Sequence, residues 1–285
     1  MKRRLFILLG LILSLLVANA TKRALVIGIG NYPTESGWAK INGDKDIPLV
    51  REILLANGFS TQNIVELVNE DATHDVIIKQ VENLISKAQV GDVIYIHFSG
   101  HGQQVTDLNG DEEDGFDEAW IPIDAQFSFA KGKYEGENHI LDDQLNQWLS
   151  KLRVKVGALG KVTVVADACH SGGGSRGDED DIDEYVVRGT SDAFVIPGEH
   201  KSYNGETGAS IDWIFISACK SYQCNYEYKG TGSLTYSLYT QKEKLSTEAS
   251  QQVHRAIRST ISNIIPFTQT PVIEVTETGK QQSLF

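Results

Sequence analysis

The 285-residue chain is poor in cysteine and poor in positive charge, and it has no long apolar run after its first twenty residues. Each scarcity excludes something. Three cysteines, Cys169, Cys219 and Cys224, are an odd number, so at least one thiol stays unpaired in a monomer. Cys219 and Cys224 stand five apart and either close a local bridge or sit as core thiols at the end of a strand, which leaves Cys169 as the odd one. Lys and Arg number 26 against 38 Asp and Glu, a net charge of −12. A surface of that sign repels nucleic acid and anionic lipid and suits basic partners or metal ions. No internal repeat and no low-complexity segment interrupts the chain.

The one apolar run is "MKRRLFILLGLILSLLVANA". It has a basic start, an apolar stretch too short for a typical spanning helix, and Ala-Asn-Ala at 18–20. That pattern predicts a secretory signal peptide removed after Ala20 rather than a stable membrane anchor. The expected product is exported, periplasmic or secreted, and the style of the peptide suggests a bacterial source. Loss of Lys2, Arg3 and Arg4 takes the net charge from −12 to −15. Residues 21–285 suffice for one sizeable domain.

Short β-branched runs alternate with helical patterns. Residues 23–29, 92–99, 161–168 and 212–219 are apolar on both faces, as strands covered by helices on two sides are; 63–67 and 271–275 are weaker strand candidates. Helical periodicity falls at 46–57, 73–89, 142–153, 232–241 and 246–263, with Asp71 or Thr73 placed to cap the second. The alternation predicts an α/β fold with a mostly parallel central sheet of about six strands and helices on both faces. Two segments break the rhythm. One is the acidic loop "DLNGDEEDGFD" at 107–117, and the other is a long aperiodic insertion at about 171–208, expected to be mobile or functional.

Ligands of an open parallel sheet bind beyond the carboxyl ends of its strands. Two strands here end in a glycine break beside a reactive side chain: "IYIHFSGHGQQ" delivers His101, and "VADACHSGGG" delivers Cys169. On neighbouring strands, the imidazole and the thiol share one crevice. An imidazole can take the proton of a thiol and return one to a leaving amine. The N–H groups of Cys169 and Gly102 are the natural donors to a tetrahedral oxyanion. His170 adjoins Cys169, but adjacent side chains point apart. Competing motifs fail on spacing. Six residues, not five, separate Cys169 from Arg176, against a phosphatase loop. Pro33 stands where a dinucleotide fingerprint needs its third glycine. His97 and His101 lack a third zinc ligand, and Glu112 replaces the glycine at position six of an EF-hand.

These stretches resemble metacaspase-type members of the caspase-like cysteine peptidases. "ALVIGIGNY", "YIHFSGHGQQ", "DGFDEAWIPID", "ILDDQL", "DACHSGGG" and "ISACKSYQ" occur in the family's order and cover most of the chain after residue 20. Ala168 stands where the family's "DSCHSG" has serine. The resemblance implies a caspase-like fold and a Cys169–His101 dyad that hydrolyses peptide bonds through an acyl-enzyme, after Arg or Lys. Asp167 and Ser99 match residues of the pocket for the basic side chain. Asp46 matches a second pocket carboxylate, in a stretch one residue shorter than the family's. A buried carboxylate pair attracts a guanidinium and repels an acidic side chain.

The resemblance implies no obligatory cofactor, with calcium as the one candidate. Asp117, Asp142 and Asp143 fall where the family's calcium ligands lie, and Asp178 is a loose fourth because Arg176 takes the nearest position. A merely solvated acidic face is the alternative. Arg176 and Arg188 make the insertion either a self-cleavage site or a plain flexible loop. The expected partners are proteins or peptides with basic residues, cut by a monomer. A catalytically silent homologue that binds peptides is the rival from another class.

Overall fold

The structure is a computed structural model that describes residues 20–169, 185–198 and 212–285. The expected signal peptide, apart from Ala20, and His170, Arg176 and Asp178 lie outside the described residues. No described helix is long and apolar enough to cross a membrane.

The central sheet is built from β1 (Lys22–Gly28), β2 (Ile64–Val68), β3 (Val93–Ser99), β7 (Lys161–Asp167), β8 (Ile214–Ser217) and β11 (Val272–Glu274), in the order β11-β8-β7-β3-β1-β2. Five strands are parallel, and β11 closes one edge antiparallel to β8. Alternation explains why these runs become buried strands: Leu25 and Ile27 pack on one face, Ala24 and Val26 on the other. Each face is then covered by helices whose apolar residues recur at helical spacing. On one side lie α2 (His74–Lys87), through Ile77, Val81 and Leu84, and α3 (Asp142–Val156), through Leu145, Leu149, Leu152 and Val156. On the other lie α1 (Asp46–Ala56), α4 (Ser233–Thr240) and α5 (Ser250–Ile264), the last through Val253, Ile257 and Ile261.

The expected strands and helices are present, with ends shifted by a few residues. The expected cap is not. Thr73 holds the N-cap position without a side-chain bond, and the free N–H of His74 donates instead to Asp124, fifty residues on, at 2.9 Å.

Smaller sheets were not expected. β4 (Gly102–Thr106), β5 (Phe116–Trp120) and β6 (Ile140–Leu141) form an antiparallel sheet, so the acidic 107–117 segment is largely the turn of a hairpin whose return strand carries Asp117. Trp120 of this sheet stacks on Phe98 at the end of β3, ring centroids 4.7 Å apart. β9 (Glu227–Tyr228) and β10 (Thr231–Gly232) make a two-stranded ribbon before α4. Residues 185–198, part of the insertion expected to be mobile or functional, are tied down at both ends. Val187 bridges Tyr226, and Phe194 exchanges backbone bonds with Gln104 and Thr106 at 2.7 and 3.1 Å.

Candidate active site

β3 and β7 are parallel neighbours with Ser99 opposite Asp167. His101 lies two residues past Ser99 and Cys169 two past Asp167, so the sheet delivers imidazole and thiol at the same level of adjacent strand ends. That register places the two expected residues just past the ends of neighbouring strands.

The imidazole is fixed from all sides. His101 is 2% exposed, stacked on Trp38 at 4.8 Å and inclined to Tyr32 at 4.9 Å, and the Tyr32 hydroxyl accepts its backbone N–H. Its Nε2 lies 2.9 Å from the carbonyl of Ala39. A carbonyl only accepts, so Nε2 carries the proton and Nδ1 holds the lone pair. Nδ1 is buried and has no hydrogen-bond partner among the described residues. Burial, seconded by the charge of Arg188, holds the imidazole down to about 4, so it is neutral at pH 7. The Cys169 thiol, 1% exposed, donates to the Gln223 carbonyl at 2.7 Å.

Carboxylates gather at the same strand ends. Asp46, at the start of α1, and Asp167, at the end of β7, have no exposed surface. Ser99 Oγ donates to Asp46 at 2.8 Å and the Gly232 N–H at 2.9 Å. Thr235 gives both its N–H and its hydroxyl to one oxygen of Asp167, at 2.7 and 2.6 Å, and Asn225 donates to the other at 2.7 Å. The expected pocket residues Asp46, Ser99 and Asp167 are therefore brought together. A third carboxylate, Glu227 of β9, completes the wall and is held by the backbone and side-chain N–H groups of Asn42 at 2.7 and 2.5 Å. Glu227 was not foreseen; its sequence signal is only a lone acid between Tyr226 and Tyr228. A side chain on Gly232 would run into Asp167, so the pocket wall is glycine there.

The pocket is filled by the chain's own Arg188. Its side chain has no exposed surface, and Nη1 lies 2.6 Å from Asp46 and 3.6 Å from Asp167, while Nε lies 3.1 Å from Glu227. Burial opposes the guanidinium's charge, but the three carboxylates outweigh it and hold the cation. Burial in turn pushes the Asp46 carboxyl up, against the pull of Arg188, so this pocket keeps its charge by keeping a cation.

The backbone of Arg188 is placed as specifically as its side chain. Its carbonyl accepts the Cys169 N–H at 2.7 Å. Its N–H donates to the Asn225 carbonyl at 3.0 Å, and the Glu227 N–H donates to Val186 at 2.9 Å, so residues 186–188 lie as an extra antiparallel strand along 225–227. Gly189 follows with φ 154°, packed so tightly on the Cys169 carbonyl that no side chain fits there. Of the two expected oxyanion donors, Cys169 meets a carbonyl in this arrangement. Gly102 opens β4, in register with Trp120.

The expected metal residues are partly regrouped. Carboxylate oxygens of Asp107, Asp111 and Asp117 lie within 4.8 Å of one another. Asp107 and Asp111 were missed, because only the unforeseen hairpin folds them back onto Asp117. Asp143 instead accepts a bond from Asn109 at 2.5 Å. Burial, then neighbouring carboxylates, pushes Asp117 up to about 8, Asp142 to about 7 and Glu112 to about 7. One oxygen each of Asp111 and Asp142 is buried without a partner. This is a hard-oxygen donor set that lacks a positive charge, and it fits a divalent cation such as calcium.

Comparison with known proteins bears on family and fold. The family model for the metacaspase peptidase C14 domain matches residues 22–175. The chain is 33% identical over 166 residues to metacaspase-1 of Candida albicans and 34% identical over 163 residues to metacaspase-1 of Eremothecium gossypii. Each alignment takes in 54% of this chain, but only 34% and 32% of those relatives, so the chain spans about a third of their length. A solved structure of a protein from Geobacter sulfurreducens superimposes with a TM-score of 0.64 at 24% identity, covering 92% of this chain and 97% of that one, a likeness of fold.

Proposed function

The chain belongs to the metacaspase peptidase family, and from that membership we propose that it is a cysteine endopeptidase cutting after arginine or lysine and held closed by its own Arg188. The observation that carries the reading is Arg188 itself. Its guanidinium sits among Asp46, Asp167 and Glu227, while its carbonyl rests on the Cys169 N–H. That is the placement a substrate's first residue needs: specificity pocket filled, scissile carbonyl on the oxyanion donor, nucleophile adjacent.

The chemistry follows from the tautomer of His101. Nδ1 takes the Cys169 proton, and the sulfur attacks the carbonyl carbon. Negative charge gathers on the oxygen bonded to the Cys169 N–H. The imidazolium then protonates the leaving amine, and water, activated by the same nitrogen, hydrolyses the acyl-enzyme. Applied in cis, the reaction cuts Arg188–Gly189, with Gly189 packed against the Cys169 carbonyl. Asp107, Asp111 and Asp117, with Asp142 beside them, would hold calcium, whose positive charge would offset the carboxylates gathered there. Asp178, the loose fourth ligand expected from the sequence, lies outside the described residues.

Fluorogenic peptides ending in Arg, Lys or Asp, offered with and without calcium to the natural chain and to Cys169→Ala, test the reading. Turnover of the Arg and Lys peptides by the natural chain alone supports it. Turnover of the Asp peptide alone refutes the pocket argument, and binding without turnover establishes the silent, peptide-binding homologue instead. Intact mass shows the cut in cis as two pieces divided after Arg188, absent in Cys169→Ala.

A further inference from the structure

Beside Cys169 stands a second thiol that peptide hydrolysis does not use. β7 and β8 run parallel with Ala166 opposite Ser217, and the Ala218 N–H donates to the Ala166 carbonyl at 3.1 Å. Cys169 and Cys219 therefore leave neighbouring strand ends at nearly the same level. Their sulfurs converge on one oxygen: the Gln223 carbonyl accepts Cys169 Sγ at 2.7 Å and Cys219 Sγ at 3.1 Å. The two thiols are also hydrogen-bonded to each other, and both are reduced. Cys224, which spacing alone offered as the partner of Cys219, is half-buried and bonded to Tyr226. A cavity of about 720 Å³ is lined by Cys219 together with Ala168, the neighbour of Cys169, and by Ser217 and Tyr222 among others.

We propose that Cys169 and Cys219 form a reversible, peroxide-responsive disulfide that switches the site off and spares the nucleophile from irreversible oxidation. As a control of the peptidase, this rests on Cys169 being its nucleophile. The Cys169 thiolate attacks one oxygen of hydrogen peroxide; the O–O bond breaks, a sulfenic acid forms, and the departing hydroxide leaves as water after taking a proton. Cys219 sulfur then attacks the sulfenic sulfur; the S–S bond forms, the S–O bond breaks, and a second water leaves. Two thiols lose two electrons, and one peroxide becomes two waters. Proximity favours this course. A thiol sharing the same carbonyl meets the sulfenic acid before a second peroxide does.

The test treats the fully reduced full-length chain with hydrogen peroxide, quenches with an alkylating agent, and reads mass and disulfide map. The expected result is a loss of about 2 Da, a linked peptide pair containing Cys169 and Cys219, and full recovery of both thiols with dithiothreitol. Cys219→Ala should form no bridge, take up dimedone at Cys169, and gain about 32 Da irreversibly in excess peroxide. Cys224→Ala should behave as the natural chain does. A bridge between Cys219 and Cys224, or dimedone labelling equal in the natural chain and Cys219→Ala, overturns the proposal. Because the readout is mass, a failed peptidase assay leaves this result standing, and a missing bridge leaves cleavage after arginine standing.

Discussion

Replacing Arg188 with glutamine should turn a closed site into an open one. In the natural chain the guanidinium donates to Asp46 at 2.6 Å and to Glu227 at 3.1 Å, with Asp167 at 3.6 Å. Hydrogen bonds to charged groups contribute about 1.5–3 kcal/mol each, so the two amount to about 3–6 kcal/mol. Desolvation of the buried ions takes back part of that, and about 3 kcal/mol is a reasonable net advantage for the closed arrangement. At about 1.4 kcal/mol per factor of ten, the pocket is then free in roughly 1% of molecules. Glutamine is shorter and uncharged, so the advantage largely disappears and the free fraction approaches unity. The assay is the rate of covalent labelling of Cys169 by a peptidyl-arginine chloromethyl ketone, measured before any turnover in cis. Arg188→Gln should label on the order of 100-fold faster, and Arg188→Lys should fall between, because it keeps a single charged donor. Equal labelling of the natural chain and Arg188→Gln, in variants that melt cooperatively, would refute the idea that Arg188 blocks the pocket.

Glu227 is the carboxylate facing Nε, a position lysine cannot fill, so Glu227→Gln should cost arginine peptides about tenfold in kcat/KM and lysine peptides much less. An unchanged Arg-to-Lys ratio counts against that assignment. Trp38→Leu uncovers one face of the His101 ring; its value should climb from about 4 toward 6.5, moving the acid limb of the kcat/KM profile up by about one unit or more. A profile that stays in place means Trp38 does not set the dry environment. For the acidic cluster the sign runs the other way from an ordinary carboxylate. Asp117, up at about 8, and Asp142, up at about 7, keep protons that the unfolded chain gives up near 3.8, so their contribution to stability falls as pH rises from about 4 to about 8. Calcium should therefore raise the melting temperature more at pH 8 than at pH 5, and Asp117→Asn should flatten the difference; equal shifts at both pH values would dismiss calcium binding there.

Much of the scaffold was legible because burial on two faces leaves a mark that local composition cannot hide. Leu25 and Val26 go to opposite cores, so β1 carries an unbroken apolar run at its centre, and β3 and β7 bury apolar residues on both faces in the same way. The placing of His101 and Cys169 past adjacent strand ends was legible for a related reason. A strand that ends in glycine beside a sulfur or an imidazole spends core-forming positions on something other than a core. The β4–β5 hairpin was not legible, since "GQQVT" and "FDEAW" are short, polar strands whose pairing comes from the Phe98–Trp120 stack and the 185–198 segment rather than from their own pattern. Asp107 and Asp111 were missed with it. Glu227 and the filling of the pocket were missed because they depend on groups 39, 142 and 185 residues apart in sequence.

Arg188 was weighed from sequence as one of two arginines in a polar insertion, where charge and glycine argue for solvent. Its burial follows from the pocket and not from the insertion. Asp46, Asp167 and Glu227 are buried around the guanidinium, and burial pushes the Asp46 carboxyl toward keeping its proton while the charge of Arg188 opposes that. Such a pocket is stable with a cation inside and unstable without one. A chain that folds before it meets a substrate must supply that cation itself, and a guanidinium carried on a backbone that can pair along 225–227 is the occupant whose geometry matches. On this argument selectivity for arginine and closure by Arg188 have one cause. A change that weakens closure by diluting the pocket's charge, as Glu227→Gln does, should weaken selectivity in step, whereas Arg188→Gln should open the site and leave selectivity intact.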